Sequence, residues 1–398
     1  MPGTDGNGNA KLTIKGTVTA QTIQLFDAGT SLQVQVDCNN DGDFADPGED
    51  QTIATNFEVF EVAGGGKDVV TYQNTAALVG ARKSLSVTLG VATAAQPNQL
   101  IVAPSGLSAN SSFTFDVQGG PGRDNVTVQA ATLTDSSLVV RGDLGGGDDS
   151  LSLVVFGSVT NSSITNDVAL GTGKNVLTDV PNATFSNSAY RTSVSGSDTA
   201  FGADVAVLVT DTLSLDVGSR LIHDIGLLKG NDTFRASLDG ATISNGSELI
   251  VRARGDAGTD TLALDNLPSF GNVNVDDTSH LSAFLTGGIG NDVVTADLSF
   301  DNLGFHRFFL SGGDGNDIVF AGLAAISSGS AGPNADIVLD GGRGTDAVFL
   351  AATDSSGGAS FDPMGAALMA GGTFDIAIDD CIFFGDVPFQ KLDCETGS

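Results

Sequence analysis

Short runs in which apolar residues alternate with Thr, Ser, Asn or Asp recur along most of the chain, and most are introduced by glycine. A period of two predicts strands with one buried face. The introducing phrase is Gly-Gly-x-Gly-x-Asp. It reads GGPGRDNVTV from Gly119, GGIGNDVVTA from Gly287, GGDGNDIVFA from Gly312 and GGRGTDAVFL from Gly341. Looser copies are AGGGKDVVTY from Ala63, LGGGDDSLSL from Leu144, LLKGNDTFRA from Leu227 and GDAGTDTLAL from Gly255. A second strand-like stretch precedes many turns, as at Phe113–Val117, Leu138–Arg141, Leu249–Ala253, Phe308–Leu310 and Ile337–Leu339.

The aspartates of these copies, Asp68, Asp124, Asp149, Asp232, Asp260, Asp292, Asp317 and Asp346, serve as anchors for a register. Weaker members at Asn98, Asn175, Asp204 and Asp375 fill the gaps and bring the average spacing to about 28 residues. Two residues after every anchor stands an apolar side chain, among them Val70, Leu100, Val126, Leu151, Phe234, Leu262, Val294, Val319 and Val348. A glycine turn with short alternating strands at such a period predicts an all-β parallel β-solenoid of about twelve coils. Ser/Thr/Asn-rich stretches such as Gly157–Asn166 and Ala325–Asn334 read as variable loops between coils. Exposed strand edges at the two ends call for caps. Residues 1–57, with strand-like runs at Leu12–Val18, Leu32–Val36 and Phe57–Val62, suit one. Residues 380–398 suit the other, leaving 58–379 as the repeat body.

Composition sharpens this picture. The 398 residues carry a formal net charge of −31, and the acids divide into 43 Asp and 5 Glu. Helix surfaces favour Glu, Lys, Gln and Arg, whereas Asp, Gly, Ser, Thr and Asn favour turns. At 40% hydrophobic the chain has ample material for a core. Its charge argues against nucleic acid and anionic membranes as partners. No stretch approaches the roughly 20 apolar residues of a membrane span. The residues from Met1 to Ala10 are polar and hold no run resembling a secretory signal, so extracellular placement implies a signal already removed.

The glycine–aspartate phrase resembles the haemolysin-type (RTX) calcium-binding repeat, GGxGxDxUx with U apolar. The copies at Gly119, Gly120, Gly122 and Asp124, at Gly287, Gly288, Gly290 and Asp292, at Gly312, Gly313, Gly315 and Asp317, and at Gly341, Gly342, Gly344 and Asp346 match it throughout. The resemblance implies Ca²⁺ between successive turns, ligated by glycine-loop carbonyls and by aspartates, including Asp68, Asp149, Asp232 and Asp260. That family repeats its nonapeptide back to back, whereas one copy per coil here leaves a single edge for such a ladder. Glycine permits the sharp turn and Asp offers a hard oxygen ligand. Carboxylates stacked about 5 Å apart repel by about 0.8 kcal/mol per pair even in water, which favours an intervening cation.

A second candidate is the stretch DCNNDGDFADPGED. Asp37, Asn39, Asp41 and Gly42 reproduce the opening of an EF-hand loop, but Gly48 stands where a Glu is expected and Glu49 comes one place late. Cys38, Cys381 and Cys394 are three reduced thiols, or a C-terminal staple with Cys38 left to link subunits. His280 and His306, near one period apart, are expected to stack on the surface; His223 lies apart from them.

No HExxH, GxSxG, phosphate-binding loop or zinc cysteine cluster occurs in the sequence. The enzymatic rival is a polysaccharide-active β-helix, for which Arg220, Arg235, Arg252 and Arg254 are the available basic groups. An adhesin or ice-binding surface would need Thr at a fixed offset, and Thr is irregular. The expectation is therefore not an enzyme but an extracellular, calcium-binding structural protein. Its expected partners are calcium ions, further copies of itself in an oligomer or polymer, and a cell-surface glycan.

Overall fold

The computed structural model describes residues 2–354 except 16–20, 38, 40, 54–56, 65, 93–95, 105, 198–201, 267–270, 302–303 and 326–333. Beyond residue 354 it describes the strands Asp362–Met369 and Ile382–Phe384. The described residues form an all-β parallel solenoid of about nine turns. None of them is helical, so none lies in a helix long and apolar enough to cross a membrane. Asp375, Cys38, Cys381 and Cys394 lie outside the described residues, as does most of Ala325–Asn334.

Two compact units can be distinguished, Met1–Ala183 with Ser188–Ser195, and Thr184–Asn187 with Gly196–Ser398. In the first, one sheet runs in parallel order through Ala10–Lys15, Val59–Ala63, Arg82–Thr88, Ser112–Gln118, Ser137–Asp143, Ser163–Ala169 and the strand beginning at Ala189. The second sheet stacks Gln21–Asp27, Asp68–Asn74, Asn98–Ala103, Asp124–Ala130 and Ser150–Thr160. Antiparallel pairing enters through Pro2–Thr4 on Ala10–Lys15, and through Leu32–Asp37 between Gln21–Asp27 and Asp50–Ile53. In the second unit the corresponding sheets are Arg220–Leu228, Glu248–Ala257, His280–Ile289, Phe305–Gly315 and Asn334–Gly344, and Val205–Val209, Thr233–Ser237, Thr261–Asp265, Val293–Phe300, Ile318–Ala325 and Ala347–Asp354.

The residues two places beyond the anchors form stacked rows in the core. Val70, Leu100, Val126 and Leu151 are successive Cα partners, and so are Ala206, Phe234, Leu262, Val294, Val319 and Val348. All are buried. Opposite the first row lies a second, from Leu85 through Phe115 to Val140. Each large aliphatic or aromatic side chain so buried contributes roughly 1.5–3 kcal/mol relative to exposure.

Gly157–Asn166 is not the loop expected from its polar composition. Ser150–Thr160 and Ser163–Ala169 are both strands, separated only by Asn161 and Ser162. Asn161 supplies the left-handed corner (φ 48°), which Asn tolerates better than most residues.

Candidate functional site: the aspartate ladder and the acidic hairpin

At the Gly-Gly-x-Gly-x-Asp turns a strand of one sheet hands over to a strand of the other within two to five residues, three of them between Ile289 and Val293 and five between Gln118 and Asp124. Gly290 has φ +148°, and a Cβ there would fall on the carbonyl of Gly258. The glycine backbones continue the coil-to-coil pairing: Gly288 partners Gly313, Gly313 partners Gly342, and Gly315 partners Gly344. In the earlier copy, Gly146 N–H donates to the Gly120 carbonyl at 3.1 Å.

The anchor aspartates turn inward. Asp68, Asp124, Asp149, Asp232, Asp260, Asp292, Asp317 and Asp346 are all buried. Apart from Asp68, whose Oδ2 accepts from Gly90 N–H at 3.3 Å, each of these carboxylates splices its coil to the one before. Asp124 N–H donates to Asp149 Oδ1 at 2.8 Å, Asp204 to Asp232 and Asp232 to Asp260 at 2.7 Å. Asp260 donates to Asp292 at 2.7 Å, Asp292 to Asp317 at 2.8 Å and Asp317 to Asp346 at 3.0 Å. These contacts span sequence separations from 25 to 32 residues. The first glycine of the phrase makes room for the other oxygen. A Cβ on Gly287 would stand 2.5 Å from Asp292 Oδ2 and 2.6 Å from the Gly312 carbonyl oxygen.

The weak anchors belong to the same ladder. Asn98 Oδ1 accepts from Asp68 N–H at 2.8 Å, and Asn175 Oδ1 accepts from Asp149 N–H at 3.0 Å. Asn98 Nδ2 also donates to Asp124 Oδ1 at 2.7 Å and to the Gly90 carbonyl at 2.9 Å. At Asn98 the amide thus completes what a carboxylate leaves half made. Oδ2 of Asp149, Asp232, Asp260, Asp292 and Asp317 is buried with no hydrogen-bond partner. Asp124 differs, because its Oδ2 accepts from Gly120 N–H at 2.9 Å.

Burial raises these acids out of the usual carboxylate range, since desolvation penalises the charged form. It pushes Asp149 and Asp232 up to about 7, and Asp68, Asp292 and Asp317 up to about 6, with neighbouring anchors adding to the shift. Asp124 and Asp260 are raised for the same first reason. A buried carboxylate with one unengaged oxygen, as at Asp149 and Asp232, carries a desolvation cost that protonation relieves. Among the described residues, those of the turns and of the acidic loop after Asp37 alike, no group of three or more His, Cys, Asp or Glu is placed to hold a metal ion. A metal ion at the turns would depend on single carboxylate oxygens and the glycine carbonyls beside them.

The acidic hairpin is organised differently. Its loop joins Leu32–Asp37 to Asp50–Ile53. Gly42 N–H donates to Asp37 Oδ2 at 3.1 Å and Asp41 N–H to Asn39 Oδ1 at 3.0 Å. Asn39 Nδ2 donates to Asp41 Oδ2 at 2.9 Å and Asp46 Oδ2 at 2.7 Å, while Asp46 N–H reaches Glu49 Oε2 at 3.3 Å. Glu49, with its neighbours Asp41, Asp43 and Asp37, raises the Asp46 carboxyl. The structure thus gathers Asp37, Asn39 and Asp41 with Asp46 and Glu49 in one loop. Asp46 had no place in the EF-hand comparison.

Three arrangements escaped the reading of the sequence. On another corner, serines form their own ladder: Ser136 N–H donates to Ser162 Oγ at 3.0 Å and Ser162 N–H to Ser188 Oγ at 3.1 Å. In the second unit Ser219 N–H donates to Ser247 and Ser247 N–H to Ser279, at 3.1 and 3.2 Å. The legible signal was Asp-Ser at 135 and Asn-Ser at 161, one coil apart. Buried Lys83 lies 3.0 Å from Asp27 Oδ2, which also accepts from Tyr72 O–H at 3.0 Å. His280 and His306 do not stack. The register sets His280 against Phe305, so His306 falls one residue out, on the inner face, between Phe300 and Phe308. Its surroundings depress its pKa to about 3, through burial first.

No family model matches the chain, and neither a curated protein nor a solved structure matches it.

Proposed function

We propose that the chain is an extracellular structural β-solenoid, a subunit of a self-assembling surface layer, matrix or filament stabilised by Ca²⁺. Its full length would make about twelve coils, with caps over 1–57 and 380–398. The observation that carries it is the row of buried, half-partnered carboxylates. Five Oδ2 atoms, from Asp149, Asp232, Asp260, Asp292 and Asp317, have no donor, and the side chains that own them serve to join coil to coil. Such residues are spent on stacking rather than on presenting groups to a substrate.

Calcium enters at two places. At the turns it would neutralise the orphaned oxygens, with the following coil's first glycine carbonyl alongside, as at Asp292 and Gly312. At the hairpin Asp37, Asn39, Asp41, Asp46 and Glu49 offer the larger oxygen set, closer to the six to eight ligands Ca²⁺ takes.

Thermal unfolding in EDTA and in millimolar Ca²⁺ tests the metal part. Binding to the native state alone raises the midpoint, and coincident curves overturn it. Size-exclusion chromatography at high concentration, with and without calcium, tests assembly. A monomer in both conditions overturns that part.

A further inference from the structure

Position 83 breaks the inner row of its sheet. Lys83 is the Cα partner of Phe113, and the row continues through Leu138 and Ile164 to Tyr190, all buried. The Lys83 side chain is 1% exposed, and that of Asp27, on the other sheet, is 2% exposed. Lys83 Nζ lies 3.0 Å from Asp27 Oδ2, 2.5 Å from the Phe57 carbonyl oxygen and 5.4 Å from the Phe60 ring centroid. Phe57, Phe60, Tyr72 and Phe113 make one chain of ring contacts, with successive centroids 5.1–6.3 Å apart. Each oxygen of the carboxylate also carries a donor of its own. Gly29 N–H donates to Oδ1 at 2.7 Å and Tyr72 O–H donates to Oδ2 at 3.0 Å.

A buried ion pair is a poor device for stability alone, since apolar side chains of similar volume often do as well or better. This pair has what condensation asks for: an amine held against a carboxyl group, donors on both of its oxygens, and aromatic walls. We infer that Lys83 and Asp27 join in an intramolecular amide, linking the strand Gln21–Asp27 to the strand Arg82–Thr88. The ion pair is the state from which the bond forms. One Nζ proton passes to Oδ2, and the neutral amine attacks Cγ. Negative charge develops on Oδ1, where Gly29 N–H already donates. A second Nζ proton follows to Oδ2, on which the Tyr72 hydroxyl rests. The Cγ–Oδ2 bond then breaks and Oδ2 leaves as water. The new Cγ–Nζ amide keeps the third proton, so the step needs no oxidant or co-reactant. Fixed contact replaces a bimolecular encounter, and the apolar walls oppose the return of water. Neither calcium nor self-assembly enters it.

Mass spectrometry of the full chain under denaturing conditions tests the bond. The parent should be lighter than its sequence by one water. After trypsin, residues 16–67 should appear joined to residues 83–123 in one branched peptide, because acylated Lys83 is no longer cut. Asp27→Ala and Lys83→Met should each have the full mass of their sequences, a reading that does not require either variant to fold. A parent of full sequence mass would overturn the inference. So would a lost water without the branched peptide, as a succinimide elsewhere would give, or a lost water that persists in Lys83→Met.

Discussion

The backbone N–H of Asp260 donates to Oδ1 of Asp292, 32 residues later, at 2.7 Å. The carboxylate that receives this bond keeps its second oxygen buried and unpartnered. One side chain therefore provides both a recurring contact of the coil edge and an electrostatic liability within it.

Stability should depend on pH in a definite direction. Asp149, Asp232, Asp292 and Asp317 have folded-state pKa values of about 6 to 7, above the ordinary Asp value of 3.8 that applies once the chain unfolds. Their contribution is fully present below the unfolded value and is lost as pH rises through the folded ones. In EDTA, the urea midpoint should fall between pH 5 and pH 8. A midpoint that rises over this window would show the carboxylates to be stabilised as anions.

Asp260→Asn should separate the two oxygens. It keeps an acceptor for Asp232 N–H and replaces the orphaned oxygen by a donor, as Asn98 does naturally. In EDTA at pH 8 it should be no less stable than the parent, with a flatter pH dependence. Asp260→Ala leaves the buried Asp232 N–H unmatched and should cost about 1–3 kcal/mol, read from denaturant midpoints.

Gly287→Ala should destabilise by about 2 kcal/mol or more, because its Cβ would press on Asp292 and on the Gly312 carbonyl at once. Gly3→Ala, with nothing within 4 Å of its Cβ, should be neutral. Equal melting temperatures for the two variants would contradict this account of the first glycine.

Asp27→Ala should be among the most damaging substitutions, at roughly 3–5 kcal/mol, because it takes a buried carboxylate from the Lys83 ammonium, which keeps its bond to the Phe57 carbonyl. Adding Lys83→Met should recover much of the loss. A double variant as unstable as the single would assign the effect to Tyr72 and packing instead.

Asp41→Asn combined with Asp46→Asn should shrink the calcium-induced rise in melting temperature while leaving the EDTA curve nearly unchanged. An undiminished rise would move the calcium reading from the hairpin to the turns.

The repeat was legible because glycine turns constrain sequence tightly: Gly290 and Gly344 leave no room for a side chain. Even Asn98 and Asn175 could be placed by register alone, and both take their places in the ladder. The direction of the anchor carboxylates was not legible, since an inward splice and an outward ligand call for the same Asp. Parity was equally hidden. His280 and His306 are 26 residues apart, but the coils there are offset by 25, and one residue exchanges inside for outside. The serine ladder was overlooked because Asn-Ser reads as an ordinary turn until its partner one coil away is known.

The anchor contacts hold within 2.7–3.0 Å although the residues they join are separated by anything from 25 to 32 positions. The glycine–aspartate edge therefore works as a datum line from which every coil is measured, and differences in length are expressed on other parts of the circuit. A segment of several residues inserted away from that edge leaves the stacking intact. One residue added between Gly287 and Asp292 breaks it. The fold can thus vary its outer loops freely while its inner edge stays fixed.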